Sequence, residues 1–401
     1  MIMMVTHFFV GFVDVLVAGM LDRDVQASLG LITQCLFFFL VIGIAVANGS
    51  VAAVSQSIGA ELKRRAQRYI GFSLLLGLAF SSIILVAGLP LRSVLLGLLQ
   101  VPGEIEPITN YFLGVYLLVL PAYYLLIVTN ALFRAAKLVH IPMYSMGLVT
   151  LVNTLGDFGL GLGMWGLPDL GYAGLAWATF FSVASGALFN FLALWRFGMI
   201  TRSSIPPVRW MRTAWYYLFK VAWPTGAMQV IWQMAYIFLF IVVAKLPKDA
   251  VNALAGMTTG LRIEAMLFLP AFAFNMTASI LVGHLLGQGD PKGAKVMGYR
   301  VLGIAVGSIT VLGAVLWQFV PEITTYIAAD QHVQQQAASY LYYNILAIPF
   351  TTTSMVLGGI MTGAGATIYT MVVYGGASWF IRLPLAWFLG VLILKSSEGV
   401  W

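Results

Sequence analysis

An amide and a carboxyl lie four residues apart within the apolar stretch LVNTLGDFGLGLG at 151–163. These residues, Asn153 and Asp157, fall on one face of a helix because successive residues turn by about 100°. A carboxylate at bilayer depth costs about 2.5 kcal/mol or more and usually faces a cavity or a partner. We therefore expect Asp157 to have a function, with the Asn153 amide beside it.

A second acid, Asp14, lies in the first apolar segment, eight residues before Asp22 and so about 12 Å along a helix from the end of that segment. Two carboxyls in one desolvated pocket repel each other, which favours binding of a proton near neutral pH. Their oxygens are also the hard ligands that a cation such as Na⁺ prefers. The sequence leaves both ions open, as well as a purely structural role in which the acids join helices.

The elements that must hold these acids are membrane helices. Of the 401 residues, 61% are hydrophobic and 9% are charged, whereas a soluble domain has about 25% charged residues. The net charge of +7 comes from cations in short loops, without the basic patch and interleaved aromatics of a nucleic-acid surface. Eleven apolar segments are long enough to span a bilayer. They cover residues 2–20, 27–58, 69–90, 108–133, 141–163, 171–195, 216–244, 252–286, 299–320, 336–361 and 367–394.

The distribution of Lys and Arg between these eleven segments predicts their orientation. If odd-numbered helices run outward, the inside loops hold Lys63, Arg64, Arg65, Arg68, Arg134, Lys137, Arg196, Arg202, Arg209, Arg212, Lys220, Lys292, Lys295 and Arg300. The outside loops hold Arg23, Arg92, Lys245, Lys248 and Lys395. This excess of inside cations obeys the positive-inside rule, so we predict a cytoplasmic N-terminus and a plasma membrane location.

The two halves of the chain repeat each other weakly. A shift of 226 to 228 residues pairs Val25 with Val251, Gly30 with Gly256, Gly59 with Gly287, Pro121 with Pro349 and Ala136 with Ala364. Six helices precede the repeat, so both halves face the same way, which predicts a pseudo-two-fold axis along the membrane normal. We expect an N-terminal lobe at 1–197, a basic cytoplasmic linker at 198–215 and a C-terminal lobe at 216–401. Gly174 opens the sixth helix and its counterpart Gly399 ends the chain, so a twelfth helix is expected to be missing.

Several motifs occur in this order and in two copies. They are VDVLVAG at 13–19, GSVAAVSQSIGAELKRRA at 49–66 with its repeat ASILVGHLLGQGDPKGA at 278–294, and the pair LFRAAKLVHIPM at 132–143 and IMTGAGATIYTM at 360–371. The chain resembles the multidrug and toxic compound extrusion (MATE) family along essentially its whole length. The resemblance implies twelve helices in two six-helix lobes and export of amphipathic, often cationic compounds in exchange for H⁺ or Na⁺.

The resemblance also implies a cation site in the N-terminal lobe. Asp14, Asn153 and Asp157 match the acidic and amide residues of that site, and Thr179 lies near a sixth-helix hydroxyl, as in the branch related to DinF. The C-lobe acids of the NorM-like branch have no counterpart, because the seventh and tenth segments contain no Asp or Glu. We expect no organic cofactor and no metal beyond a coupling Na⁺.

A wider set of polar, aromatic and Met side chains could line the substrate path. Arg262 and Glu264 are two residues apart, about 200° around a helix, so they do not face one cavity together. Glu264 either lines the substrate path or forms a structural ion pair with a charge from another helix. Arg382 is expected to be structural, and Pro121, Pro349, Pro224 and Pro270 to kink their helices. The candidate substrate residues are Gln34, Met228, Gln229, Trp232, Gln233, Met257, Arg262 and Glu264.

Three function classes remain to be compared. An enzyme would need convergent catalytic groups, whereas the four histidines are scattered and the glycine runs lack a phosphate-binding context. A flippase for lipid-linked saccharides shares this fold type but would carry more cations inside its cavity. The sequence favours a monomeric secondary antiporter that exports amphipathic or cationic compounds, with the flippase as the alternative and the lipid bilayer as its surroundings.

Overall fold

The computed structural model is an all-α structure that describes residues 2–201, 204–247, 249–327 and 330–401. Arg202 and Lys248, two of the cations counted for orientation, lie outside the described residues. Two compact units divide the chain after Ala222. This division falls inside a helix that begins at Val208, so the predicted linker at 198–215 is partly helical. The predicted ranges of the two lobes stay a prediction.

The first unit contains the helices that carry Asp14, Asn153, Asp157 and Thr179. Their bounds are α1, Ile2–Leu21; α2, Arg23–Gly59; α3, Lys63–Leu98; α4, Glu106–Ala135; α5, His140–Gly156; and α6, Tyr172–Arg196. A π-helical turn, Asp157–Gly161, continues α5. Helix α4 lies at the centre of this unit and packs against α2, α3 and α6, and most of its apolar residues are buried.

The second unit follows the middle of α7, Val208–Ala244. It contains α8, Ala250–Gly287; α9, Pro291–Gln318; the short α10, Val320–Ile327; α11, Gln331–Ala364; α12, Thr367–Gly376; and α13, Leu383–Trp387. The π-helical segment Ala377–Arg382 joins α12 to α13, and a second π-helical segment, Phe388–Ile393, continues α13. Glycines bring α8 and α11 together, since Cβ atoms added at Gly256 and Gly359 would lie 2.5 and 2.1 Å from atoms of the opposite helix.

Nine of the eleven predicted apolar segments coincide with helices of membrane-spanning length, and the segments at 2–20 and 141–163 coincide with shorter apolar helices. Among the described residues, nine helices are long and apolar enough to cross a membrane, and Phe9–Leu21 in α1 is a shorter apolar helix. All four predicted kink positions lie inside helices, at Pro121 in α4, Pro224 in α7, Pro270 in α8 and Pro349 in α11. The protein is therefore a multi-pass membrane protein.

A glycine contact recurs at equivalent positions of the two units. A Cβ atom at Gly174 would lie 2.1 Å from the carbonyl oxygen of Leu160, in the π-helical turn after α5. A Cβ atom at Gly399 would lie 2.7 Å from the carbonyl oxygen of Leu389, in the last π-helical segment. These two glycines are the pair that the sequence repeat matches, so the repeat extends to a local backbone contact within each unit.

Candidate functional site

Two completely buried residues of the α5 region contact an acid of α1. Asn153 lies in the last turn of α5, and Asp157 begins the π-helical turn that follows. Their spacing places both on one face, as predicted, and Nδ2 of Asn153 donates a 3.0 Å hydrogen bond to Oδ1 of Asp14. The amide thus fixes the acid of α1 beside the acid of α5.

The carboxyls of Asp14 and Asp157 lie within hydrogen-bonding reach of each other. Two ionised carboxylates cannot make this bond, because both only accept, whereas a proton on either one supplies the donor. Asp14 is partly exposed while Asp157 is fully buried. Of the two acids, only Asp14 has accessible surface.

Three buried oxygens of the site have no hydrogen-bond partner among the described residues. They are Oδ1 of Asn153 and both carboxylate oxygens of Asp157. Buried acceptors without a donor cost about 1 to 3 kcal/mol each, and more when charged. A proton or a small cation bound at these oxygens would remove this cost.

Thr179 of α6 joins the site through a tyrosine that was not predicted from the sequence. The hydroxyl of Tyr116 on α4 shares a hydrogen bond with Thr179, and Tyr116 lies within electrostatic reach of Asp14 and Asp157. The Thr179 Oγ1 also donates a 3.1 Å hydrogen bond to the carbonyl oxygen of Leu175. All four predicted coupling residues therefore lie in one cluster, with Tyr116 as a fifth member.

Small residues allow α5 and α6 to approach closely beside this cluster. A Cβ atom at Gly156, directly before Asp157, would lie 2.6 Å from the Cβ atom of Ala178, directly before Thr179. At Gly161 the neighbours are side chains of Val17 and Leu175, both at 3.6 Å. The position of the acid relative to α6 thus depends on glycine at 156.

The second unit contains a separate polar cluster around Glu264 of α8. Tyr340 of α11 donates a hydrogen bond to Oε2 of Glu264, and the Tyr340 ring fits against Gly260, one turn before the acid. Glu264 is 4% exposed. Arg382 hydrogen-bonds to Tyr236 of α7 and lies within electrostatic reach of Glu264. The charge near Glu264 thus comes from another helix, whereas Arg262, two residues from the acid, is exposed.

The other candidate substrate residues lie in three environments. Gln34 is exposed on α2 of the first unit. Met257 is completely buried in the hydrophobic core of the second unit, so in this conformation it fills the core and lines no cavity. The remaining candidates are partly exposed on α7; they are Met228, Gln229, Trp232 and Gln233. Their contact with a substrate stays a prediction.

A family model named MatE matches residues 1–158 and 224–388 of this chain. The chain belongs to the MatE family. The match covers most of both units, including Asp14, Asn153 and Asp157 in the first and Glu264 and Arg382 in the second. The resemblance to the MATE family inferred from the motifs is confirmed, and with it membership of a family of transporters.

Relatives named as multidrug resistance proteins align with this MatE chain over nearly its full length. "Probable multidrug resistance protein NorM" of Thermotoga maritima is 24% identical over 397 residues, which is 98% of this chain and 83% of the relative. "Multidrug resistance protein PmpM" of Pseudomonas aeruginosa is 26% identical over 402 residues, which is 95% of this chain and 80% of the relative.

Solved MATE transporters have the same fold as this chain. A mutant of the Vibrio cholerae MATE transporter VcmN superposes with a TM-score of 0.91 at 17% identity and covers 100% of this chain and 89% of that chain. An outward-facing multidrug resistance MATE transporter of the MOP superfamily gives a TM-score of 0.88 at 19% identity, over 100% of this chain and 87% of that chain. The MATE fold of the chain is thereby established.

Proposed function

We propose that the protein is a secondary active antiporter that exports amphipathic, often cationic compounds in exchange for protons, with Asp14 and Asp157 as the coupling site. The observation that carries the proposal is the contact of these two carboxyls inside an apolar helix bundle, with both Asp157 oxygens lacking a donor among the described residues. The names of the Thermotoga maritima and Pseudomonas aeruginosa relatives support drug export.

The geometry favours a proton over Na⁺ as the coupling ion. Carboxyl groups within hydrogen-bonding reach share one proton readily, and like charges at that distance resist joint ionisation. A Na⁺ ion would instead use the unpartnered oxygens of Asn153 and Asp157 as hard ligands, so Na⁺ coupling is kept as an outcome of the test. In either case the positive charge removes the repulsion between α1 and the turn after α5.

Export requires that the cation and the substrate prefer different conformations, because a ligand with equal affinity for two states shifts neither. In the proposed cycle, the outward-open state takes up a proton at Asp14 and Asp157. The change in contacts between α1, α5 and α6 then weakens substrate binding. The return of the lobes carries the proton inward, and this alternating access is the coupling step.

The proposal also includes the membrane setting of the protein. We infer a monomer in the plasma (inner) membrane of a prokaryote, with a cytoplasmic N-terminus, because the inside loops hold most of the cations. The protein is proposed to act without an organic cofactor and without catalysing a reaction. The DinF-related branch is proposed from the acids of the first unit.

The decisive experiment measures efflux of a cationic dye from proteoliposomes, driven separately by a proton gradient and by a sodium gradient. We expect wild type to use the proton gradient, and Asp14→Asn and Asp157→Asn each to lose proton-driven efflux. Asp22→Asn is the matched control, because Asp22 is exposed and its side chain caps no helix. Expression and thermal stability of each variant are measured in the same preparations.

Each alternative gives a distinct result in this assay. Unchanged efflux in both variants would make the two acids structural and refute the coupling site. Efflux driven by sodium alone would replace the proton with Na⁺. If wild type exports no dye under either gradient, the flippase for lipid-linked saccharides becomes the better hypothesis.

A further inference from the structure

The membrane helices of the second unit expose cations and bury an acid. Arg262 of α8 and Arg382 of the π-helical segment after α12 are exposed, whereas Glu264 is buried and accepts the Tyr340 hydrogen bond. A ligand that approaches these helices therefore meets positive charge first. The Glu264 carboxyl is hydrogen-bonded to the Tyr340 hydroxyl, and its burial shields it from direct contact with such a ligand.

Arg382 lies at the middle of a membrane helix and is nevertheless exposed. The apolar stretch that contains it runs over Thr367–Ile393. A guanidinium at this depth is too costly to face lipid and normally faces a water-filled path or a partner. Its side chain lies over the Tyr236 ring, with Cζ 5.3 Å from the ring centroid, and hydrogen-bonds to Tyr236. One face of the guanidinium is thus fixed by an aromatic ring.

Aromatic rings extend from Tyr236 in a nearly parallel array. The Trp232 ring is 6.3 Å from Tyr236 at an interplanar angle of 18° and 6.5 Å from Phe272 at 20°. Tyr374 lies 5.5 Å from Trp232 at 34°. Trp232 and Tyr374 are partly exposed and Phe272 is exposed. Aligned rings with accessible surface suit a flat aromatic ligand, which gains most by offset stacking.

We propose that Arg382 and the rings of Trp232, Tyr236, Phe272 and Tyr374 form a binding site for flat aromatic compounds that carry a carboxylate or sulfonate. The aromatic part stacks on the ring array, and the guanidinium binds the anionic group through paired N–H donors, which Arg supplies in a planar fork. The inference rests on the proposed export function and adds acidic aromatic compounds to its substrates.

The test is equilibrium binding to the full chain in lipid nanodiscs, without any ion gradient. Three probes share one ring system and differ in charge: naphthalene-2-sulfonate, 2-naphthyl methyl ether and (2-naphthylmethyl)trimethylammonium. We expect wild type to bind the sulfonate at least tenfold more tightly than the other two. Arg382→Gln is expected to remove this preference, and Trp232→Leu to weaken binding of all three probes.

Two further variants keep the test falsifiable. Arg300→Gln is the matched control, an exposed Arg of α9 outside the ring array, and should leave all three affinities unchanged. Arg382→Lys keeps the charge but loses the planar fork, so we expect a partial loss, about three- to tenfold for the sulfonate. If Arg382→Gln does not fold, Arg382→Lys is used in its place.

Two results would overturn the proposal. The first is an Arg382→Gln variant with unchanged affinity for the sulfonate. The second is tighter binding of farnesyl pyrophosphate than of naphthalene-2-sulfonate, which would assign the site to a lipid phosphate. The binding assay uses no ion gradient, so its result does not depend on whether the protein exports dye in proteoliposomes. A failure of the anion-binding proposal can therefore be distinguished from a failure of the proposed antiport.

Discussion

Nδ2 of Asn153 donates a 3.0 Å hydrogen bond to Oδ1 of Asp14 across 139 residues of sequence. This bond joins α1 to α5 at the point where the second acid, Asp157, begins the π-helical turn. Single π-helical turns inside helices often occur at functional sites. The contact therefore holds Asp14 beside Asp157 and gives a hydrogen-bond donor to Asp14, while both Asp157 oxygens lack one among the described residues.

Asn153→Leu is predicted to lower proton-driven dye efflux at least tenfold. A hydrogen bond to a charged group contributes about 1.5 to 3 kcal/mol, and about 1.4 kcal/mol corresponds to a factor of ten. Leu fills a similar volume but cannot donate to Asp14. The matched control is Thr154→Val, because the buried Thr154 hydroxyl has no partner among the described residues. Equal efflux in Asn153→Leu and wild type would contradict a role for the amide.

Tyr116→Phe and Thr179→Val are predicted to reduce proton-driven efflux through one shared hydrogen bond. The double variant should therefore lose no more than the stronger single variant, since residues that act through one contact are not additive. Efflux rates of wild type, both single variants and the double variant complete the cycle. Tyr144→Phe is the control, because Tyr144 is exposed on α5. Fully additive losses would show that the two hydroxyls act separately.

The membrane helices and the pair of acids were predictable from the sequence for a physical reason. Hydropathy marks the part of each helix that crosses the bilayer, and a spacing of four residues fixes a common helix face for Asn153 and Asp157. Helix ends were less predictable, because α3 and α7 continue as helices into charged residues from Lys63 and from Val208. No hydropathy signal marks such solvent-exposed turns.

The tyrosines of both polar clusters were not predictable from one sequence. Tyr116 and Tyr340 sit among many aromatic residues of apolar helices, and their hydroxyl partners, Thr179 and Glu264, come from other helices. Only the tertiary contact distinguishes them from ordinary packing residues. Arg382 was expected to be structural because a mid-helix Arg usually has buried partners, and its exposure follows from the position of its π-helical segment in the fold.

Gly156→Ala is predicted to lower both thermal stability and efflux, whereas Gly147→Ala on the same helix should lower neither. The Cβ atom at 156 would lie 2.6 Å from that of Ala178, while at 147 it would meet nothing within 4 Å. Overpacking typically costs about 1 to 3 kcal/mol, and Ala in an open helix position gains up to about 1 kcal/mol over Gly. The two variants are compared by thermal unfolding in detergent and by dye efflux from proteoliposomes. A stable, active Gly156→Ala would show that α5 and α6 can separate without moving Asp157.

Tyr340→Phe is predicted to destabilise the second unit, and Glu264→Gln to restore part of the loss when the two are combined. Removal of the Tyr340 hydroxyl leaves the buried Glu264 carboxyl without its hydrogen bond, which costs about 1 to 3 kcal/mol or more for a charged group. Gln at 264 carries no charge, so its burial without that donor costs less.

The melting temperature of the purified protein should fall in Tyr340→Phe and recover partly in the double variant. Tyr343→Phe, on the same helix and exposed, is the control and should melt like wild type. If Tyr340→Phe melts at the wild-type temperature, Glu264 does not depend on the tyrosine hydroxyl.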